Sequence, residues 1–195
     1  MENGRMLETN EEIRFWSVLP QLIQEMSFLK LAEERFSVRS FDDKPVEDEK
    51  IDLILKAAQY APTACNYQAQ RIYVLKSQES REKMKQASPC TFNAPLIILV
   101  CADTSVAWSS PTETFNSAEM DGSIVATHIM LEAWELGIGS TWVRLIDSAK
   151  ITQLFNLPPN IKPVCILPMG YPSEKSKPSK FHYNKKPYST FVTDL

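Results

Sequence analysis

The sequence is poor in histidine and glycine, and what it has is not arranged for the commonest enzyme chemistries. There are two histidines, His128 and His182. No H-E-x-x-H pair exists to hold zinc, and no G-x-S-x-G elbow exists to present a serine nucleophile. Five glycines form neither a phosphate-binding G-x-x-x-x-G-K-[ST] loop nor a G-x-G-x-x-G fingerprint. Gly137-Ile138-Gly139 lacks the third glycine and falls between a helix pattern and a strand pattern, the reverse of the dinucleotide order. The four cysteines, at 65, 90, 101 and 165, contain no C-x-x-C spacing. Cys101 and Cys165 lie in apolar runs and read as buried, reduced thiols. Cys65 lies in a polar loop, where a nucleophilic role would need an electropositive setting.

Charge and hydropathy exclude further classes. Lys plus Arg is 21 and Asp plus Glu is 24, a formal charge of −3. That lacks the basic surplus of a nucleic-acid binder. The longest apolar run, near Pro95 to Ala102, is far short of the ~20 residues that span a bilayer. Glu2, Glu8, Glu11 and Glu12 crowd the N-terminus without a basic-then-apolar leader, so the expected location is the cytoplasm.

What is present fits one domain of 195 residues with 44% apolar composition. Residues 1–25 read as an extension, with a short helix over Glu11 to Leu19 that carries Ile13 and Trp16 on one face. Leu22, Ile23, Met26 and Leu29 predict a helix reaching Arg35. Ser37 to Phe41 reads as extended. Pro45, Glu47, Asp48 and Glu49 open a helix that buries Ile51, Ile54, Leu55 and Ala58 and stops before Pro62. Strands are predicted at 71–75, 96–101, 140–145 and 163–169, and helices at 79–87 and 149–155. Residues 107–115 have no period and read as loop. The longest helix, 118–136, is apolar nearly all round, which predicts burial inside the fold or in a subunit interface. His128 on that helix reads as a satisfied core or interface residue. After Gly170-Tyr171-Pro172 the tail turns polar and rich in lysine, a composition suited to wrapping a neighbour.

Three polar loops are left to carry chemistry. In the first, Arg35-Phe36-Ser37-Val38-Arg39, alternate residues of an extended segment share a face, so Arg35, Ser37 and Arg39 can converge on one ligand. Guanidinium groups bind phosphate and carbonyl-like oxygens with paired, charge-assisted bonds. Pairing of the same arginines with Glu33, Glu34, Asp42 and Asp43 is equally open on spacing alone. The second loop, Ala61 to Gln68, supplies Pro62, small side chains that admit a flat ligand, and the Asn66 amide, which could also simply cap a turn. The third, Gly137 to Trp142, allows close backbone approach, and also suffices as a helix stop followed by a strand.

Taken in order, these loops resemble the nitroreductase family of FMN proteins. The first is similar to R-x-S-x-R-x-F, here Arg35 to Phe41 followed by Pro45-Val46. The second is similar to A-x-x-A-P-S-x-x-N-x-Q-P-W, here within Ala57 to Gln70. The third is an Asp-led apolar helix, from Asp121, that ends in G-[LI]-G-[ST]-x-W, here Gly137 to Trp142. A G-Y-P turn and a basic tail follow, and the match spans about 26–192. The resemblance implies an α+β fold with a central, mostly antiparallel sheet flanked by helices. It also implies an intertwined homodimer with FMN at the interface, and NADH or NADPH as electron donor.

By position, Arg35 and Ser37 would hold the phosphate and ribityl end beside Phe36, and Arg39 would sit near flavin N1 and the C2 carbonyl. Pro62, Thr63, Ala64 and Asn66 would come from the other subunit. Gly139, Ser140 and Thr141 would lie along the ring's far edge, and Lys185 or Lys186 would replace a tail arginine at the phosphate. Thr63 stands where serine is usual, and Ala69-Gln70 where Pro-Trp is usual. The implied activity is ping-pong reduction of a small acceptor (nitroaromatic, quinone or enone) with no side chain acting as nucleophile. A flavin-dependent oxidase or dehalogenase, an FMN-binding storage or regulatory module without nicotinamide turnover, and a dimer with a decayed site are the competing readings.

Overall fold

The computed structural model describes residues 28–195. The predicted Glu11–Leu19 helix, the start of the helix expected from Leu22, and the 1–25 extension lie outside the described residues. The chain divides into two units, Met1–Arg35 and Phe36–Leu195. In the first, α1 covers Phe28–Glu34, and the Arg35 N–H still donates to Leu31 O at 3.1 Å.

The second unit runs α2 (Asp48–Tyr60), β1 (Gln70–Leu75), α3 (Gln78–Ala87), β2 (Leu96–Asp103), α4 (Ala118–Glu135), β3 (Gly139–Ser140), α5 (Ser148–Leu154) and β4 (Ile161–Gly170). The sheet order is β1-β2-β4-β3, and every neighbouring pair is antiparallel. This is the α+β architecture the resemblance implied.

All eight residues of β2 are buried. The reason is that both faces of the sheet are covered, which turns an alternating pattern into a continuous apolar run. Leu96, Ile98 and Val100 point into the layer with Ile54, Val125 and Ile129 of α2 and α4. Ile97, Leu99 and Cys101 point the other way, against Met84 and Ile151 of α3 and α5. Between Val100 and Cys101 the register with β4 slips, so Val164 is the extra residue of a bulge. Burial pushes the thiols of Cys101 and Cys165 up to about 12.

One sequence expectation changes in detail. The strand predicted at 140–145 is only Gly139–Ser140 plus a single Val143–Ile166 bridge. Thr141 N–H donates to Pro168 O at 3.3 Å, but proline has no N–H to return, so the ladder breaks there. Within this one chain the long helix α4 is buried along one face. Val125, Ala126, Ile129 and Ala133 form a buried stripe, while Met120 on the other side is exposed. His128 bonds within its own helix, Nδ1 to Ile124 O at 3.0 Å.

The ends of the central strands are tied by one carboxylate. Asp103 Oδ1 accepts from Ser105 N–H (3.0 Å), Ser105 Oγ (2.5 Å) and Asn160 Nδ2 (2.8 Å), and Oδ2 pairs with Arg71 at 3.1 Å. The Ser105 and Asn160 donors, with Arg71 behind them, hold its pKa at about 2, below the ordinary 3.8. A depressed folded-state pKa gives stability that is present above pH ~4 and lost as pH falls towards ~2. Denaturant midpoints measured across that window should fall in the wild type, and Asp103→Asn should flatten the dependence while lowering stability near neutral pH.

Candidate functional site

The first and third polar loops meet through backbone pairing. Ser37 and Ser140 form a parallel bridge, with Val38 N–H donating to Ser140 O at 3.0 Å. The chain then pairs Phe41 with Pro172, and Asp42 N–H donates to Tyr171 O at 2.9 Å. Ser173 and Ser176 of the early tail both bond to Ser40, the latter at 2.6 Å to its carbonyl. The extended segment that carries Ser37 and Arg39 is therefore held on one side by β3 and on the other by the G-Y-P turn.

Gly139 makes that contact sterically possible. A Cβ there would stand 2.6 Å from Val38 Cγ2 and 3.0 Å from Pro172 Cγ. Its close backbone approach thus serves the chain's own packing. Ser140 and Thr141 are also buried, and the Thr141 N–H is already committed to Pro168.

Phe36 packs edge-on against Trp134 of α4, with ring centres 5.1 Å apart, and against His182 of the tail at 6.5 Å. Beside it lies an open groove of about 200 Å³, lined by Phe36, Ser37, Arg39 and Ser40 and by Lys175, Ser176, Lys177 and Ser179 of the tail. Three cations and no carboxylate line it, which suits an anionic ligand. Arg39 is exposed and donates from Nη1 to Ser37 O at 3.2 Å. Arg35 ends the other unit, and burial lowers the pKa of its guanidinium. Lys185 and Lys186 are exposed and do not line the groove, whereas Lys175 and Lys177 do. The lysine-rich composition of the tail was visible in the sequence, but not which lysines fold back.

The G-Y-P turn is clamped in its turn. Tyr171 donates its hydroxyl to Glu47 Oε2 at 2.6 Å, and Lys50 Nζ bridges Tyr171 Oη (3.1 Å) and Leu136 O (2.7 Å), the last carbonyl before Gly137. The Tyr171 hydroxyl, aided by Lys44, holds the Glu47 carboxyl at about 2.

The second loop is built elsewhere. Pro62 and Asn66 are exposed, and Thr63 and Ala64 are half-buried. Cys65, Asn66 and Gln68 all take left-handed φ, at 52°, 55° and 50°. Asn tolerates that region better than most residues, whereas Cys and Gln adopt it at a cost. Thr63 Oγ1 accepts from Gln68 N–H at 3.1 Å, and buried Asp121 accepts from Ala64 N–H at 3.0 Å. Asp121 lies in the first turn of α4, and Gly137 follows its last turn. At ~1.5 Å per residue the helix separates the two loops by roughly 20 Å.

The nitroreductase family model matches residues 32–92 and 86–171. The chain belongs to the nitroreductase family. The solved structure of a nitroreductase family protein from Clostridium difficile 630 is 38% identical, covers 86% of this chain and 97% of that one, and superimposes with a TM-score of 0.81. An FMN-dependent nitroreductase from Clostridium difficile R20291 is 30% identical, with coverage of 86% and 98% and a TM-score of 0.69. An FMN reductase [NAD(P)H] of Bacillus subtilis is 26% identical over 76% of this chain and 67% of its own length.

Within this family fold, the contact between Gly139 and Val38 joins the first and third loops. Gly139→Ala should cost about 1–3 kcal/mol through overpacking. Thermal denaturation should show that loss, and Val38→Ala should cost less in the Gly139→Ala background than in the wild type, a measurable coupling between the two positions.

Proposed function

We propose that this nitroreductase family member is a cytoplasmic FMN-dependent oxidoreductase. It takes electrons from NADH or NADPH and passes them to a small nitroaromatic, quinone or enone in ping-pong order, as a homodimer with two shared sites. The observation that carries this reading is the groove where Ser37 and Arg39 meet Lys175 and Lys177 with no acidic side chain in the lining. Such a surface fits the phosphate of FMN, and the names of similar proteins, an FMN reductase and an FMN-dependent nitroreductase, point the same way.

FMN, when bound, supplies hydride acceptance and electron donation. The protein's part is to bind, orient and polarise. The Ser37 hydroxyl and the lysines of the groove suit the phosphate end. Lysine provides a mobile point charge where arginine would give a planar fork, so phosphate contact here depends more on the number of cations than on their geometry. Arg39, one residue beyond buried Val38, suits the pyrimidine edge of the ring, where a fixed guanidinium favours negative charge. No side chain needs to act as nucleophile.

The length of α4 supports sharing of the site between two copies. The rise along α4 sets the Pro62–Asn66 loop roughly 20 Å from the end of the helix that leads to the Ser37–Ser140 seam, which favours a ligand at the seam that takes its loop contacts from a second copy. A second copy brings its own Pro62, Thr63, Ala64 and Asn66 to the seam. Exposed Met120, Phe181, Tyr188 and Phe191 are the kind of surface such pairing covers.

The purified protein should run as a dimer and carry flavin absorbance that NADH or NADPH bleaches without oxygen. Stoichiometric flavin that neither nicotinamide reduces would favour the storage or regulatory alternative. Arg39→Ala should slow that reduction by about tenfold or more, the scale of one lost charge-assisted hydrogen bond. Reduction at the wild-type rate would remove Arg39 from the mechanism.

A further inference from the structure

The geometry points to Asp121 as a positioning residue: its buried carboxylate holds the Pro62–Gln68 loop in the one shape that can present Thr63 and Asn66 to the flavin. This inference rests on the functional reading above and adds a part to it.

Three observations carry it. Asp121 is 2% exposed, yet no ion pair to it occurs among the described residues. A buried carboxylate without a cation is costly unless donors surround it. Its donors are the Ala64 N–H on Oδ1 (3.0 Å) and the Ser117 hydroxyl on Oδ2 (2.7 Å). Its place in the first turn of α4 adds the favourable end of the helix dipole.

The loop it holds is strained. Left-handed φ at Cys65, Asn66 and Gln68 falls within four residues, without a glycine. Such backbone persists only where the surroundings over-determine it. Inside the loop, Asn66 N–H reaches Thr63 O at 2.9 Å, Tyr67 N–H reaches Ala64 O at 3.1 Å, and Gln68 N–H reaches Thr63 Oγ1. These bonds close the turn on itself. The Ala64–Asp121 bond ties it to the rest of the fold. Residues 65–68 are all exposed, so packing does little to hold them. Thr63 and Asn66 reach a ligand only as this turn presents them, so the carboxylate sets their position without touching the ligand.

The chemistry required of residue 121 is hydrogen-bond acceptance from Ala64, not charge. Asparagine keeps an acceptor for Ala64 N–H and can offer its amide to Ser117 Oγ. Alanine keeps neither.

The test is FMN affinity of the full chain, read by quenching of FMN fluorescence, alongside amide exchange at residues 63–68. Asp121→Ala should weaken FMN by about tenfold or more and speed exchange at Ala64 and its neighbours, with protection in β2 unchanged. Asp121→Asn should restore affinity to within about threefold of the wild type. Ser117→Ala, which removes one donor and leaves the loop bond, should give a smaller loss, and it serves if Asp121→Ala does not fold. FMN bound equally by wild type and Asp121→Ala, or an Asn variant as impaired as the Ala variant, overturns the proposal. A wild type that takes up no FMN overturns the functional reading itself.

Discussion

The pairing of Val38 with Ser140 is the constraint on which the candidate site depends. One backbone hydrogen bond and one glycine-width contact bring an arginine-bearing segment against the end of β3. Without that seam, Ser37 and Arg39 would belong to a connecting loop with no fixed neighbour. With it, the G-Y-P turn and the early tail are drawn in by Ser40, Ser173 and Ser176, and a groove forms. The clamp of Lys50 on Tyr171 and Leu136 fixes the same seam from the α4 side.

The helix α4 acts as a spacer as much as a core element. Its buried stripe docks on the sheet, and two of the polar loops lie at its two ends. At the first end a carboxylate grips the strained loop. At the other, Gly137 to Thr141 run into the sheet edge.

Much of the fold was legible in the sequence because its elements are strongly patterned. The run from Leu96 to Cys101 and the spacing of Ile51, Ile54 and Ala58 leave few alternatives, and the structure has β2 and α2 there. The end of the third loop was harder. Ser140 to Leu145 has a strand's composition, and only the distant Pro168 explains why its pairing stops. In the candidate site, the presence of three polar loops was readable. The meeting of Ser37 with Ser140, the bond from Ala64 to Asp121 and the place of Lys175 and Lys177 in the groove were not, because each depends on contacts between residues far apart in sequence. The left-handed turn at Cys65 to Gln68 carries no glycine to announce it.

The two core thiols have a consequence for a protein that handles electrons. Reduced flavins leak electrons to oxygen, and the hydrogen peroxide so formed attacks thiolates, starting the path to sulfenic and sulfinic acids. Cys101 and Cys165 are 0% exposed, and with pKa values near 12 they stay protonated at any physiological pH. The thiols at the centre of the sheet are therefore poor targets for that oxidant.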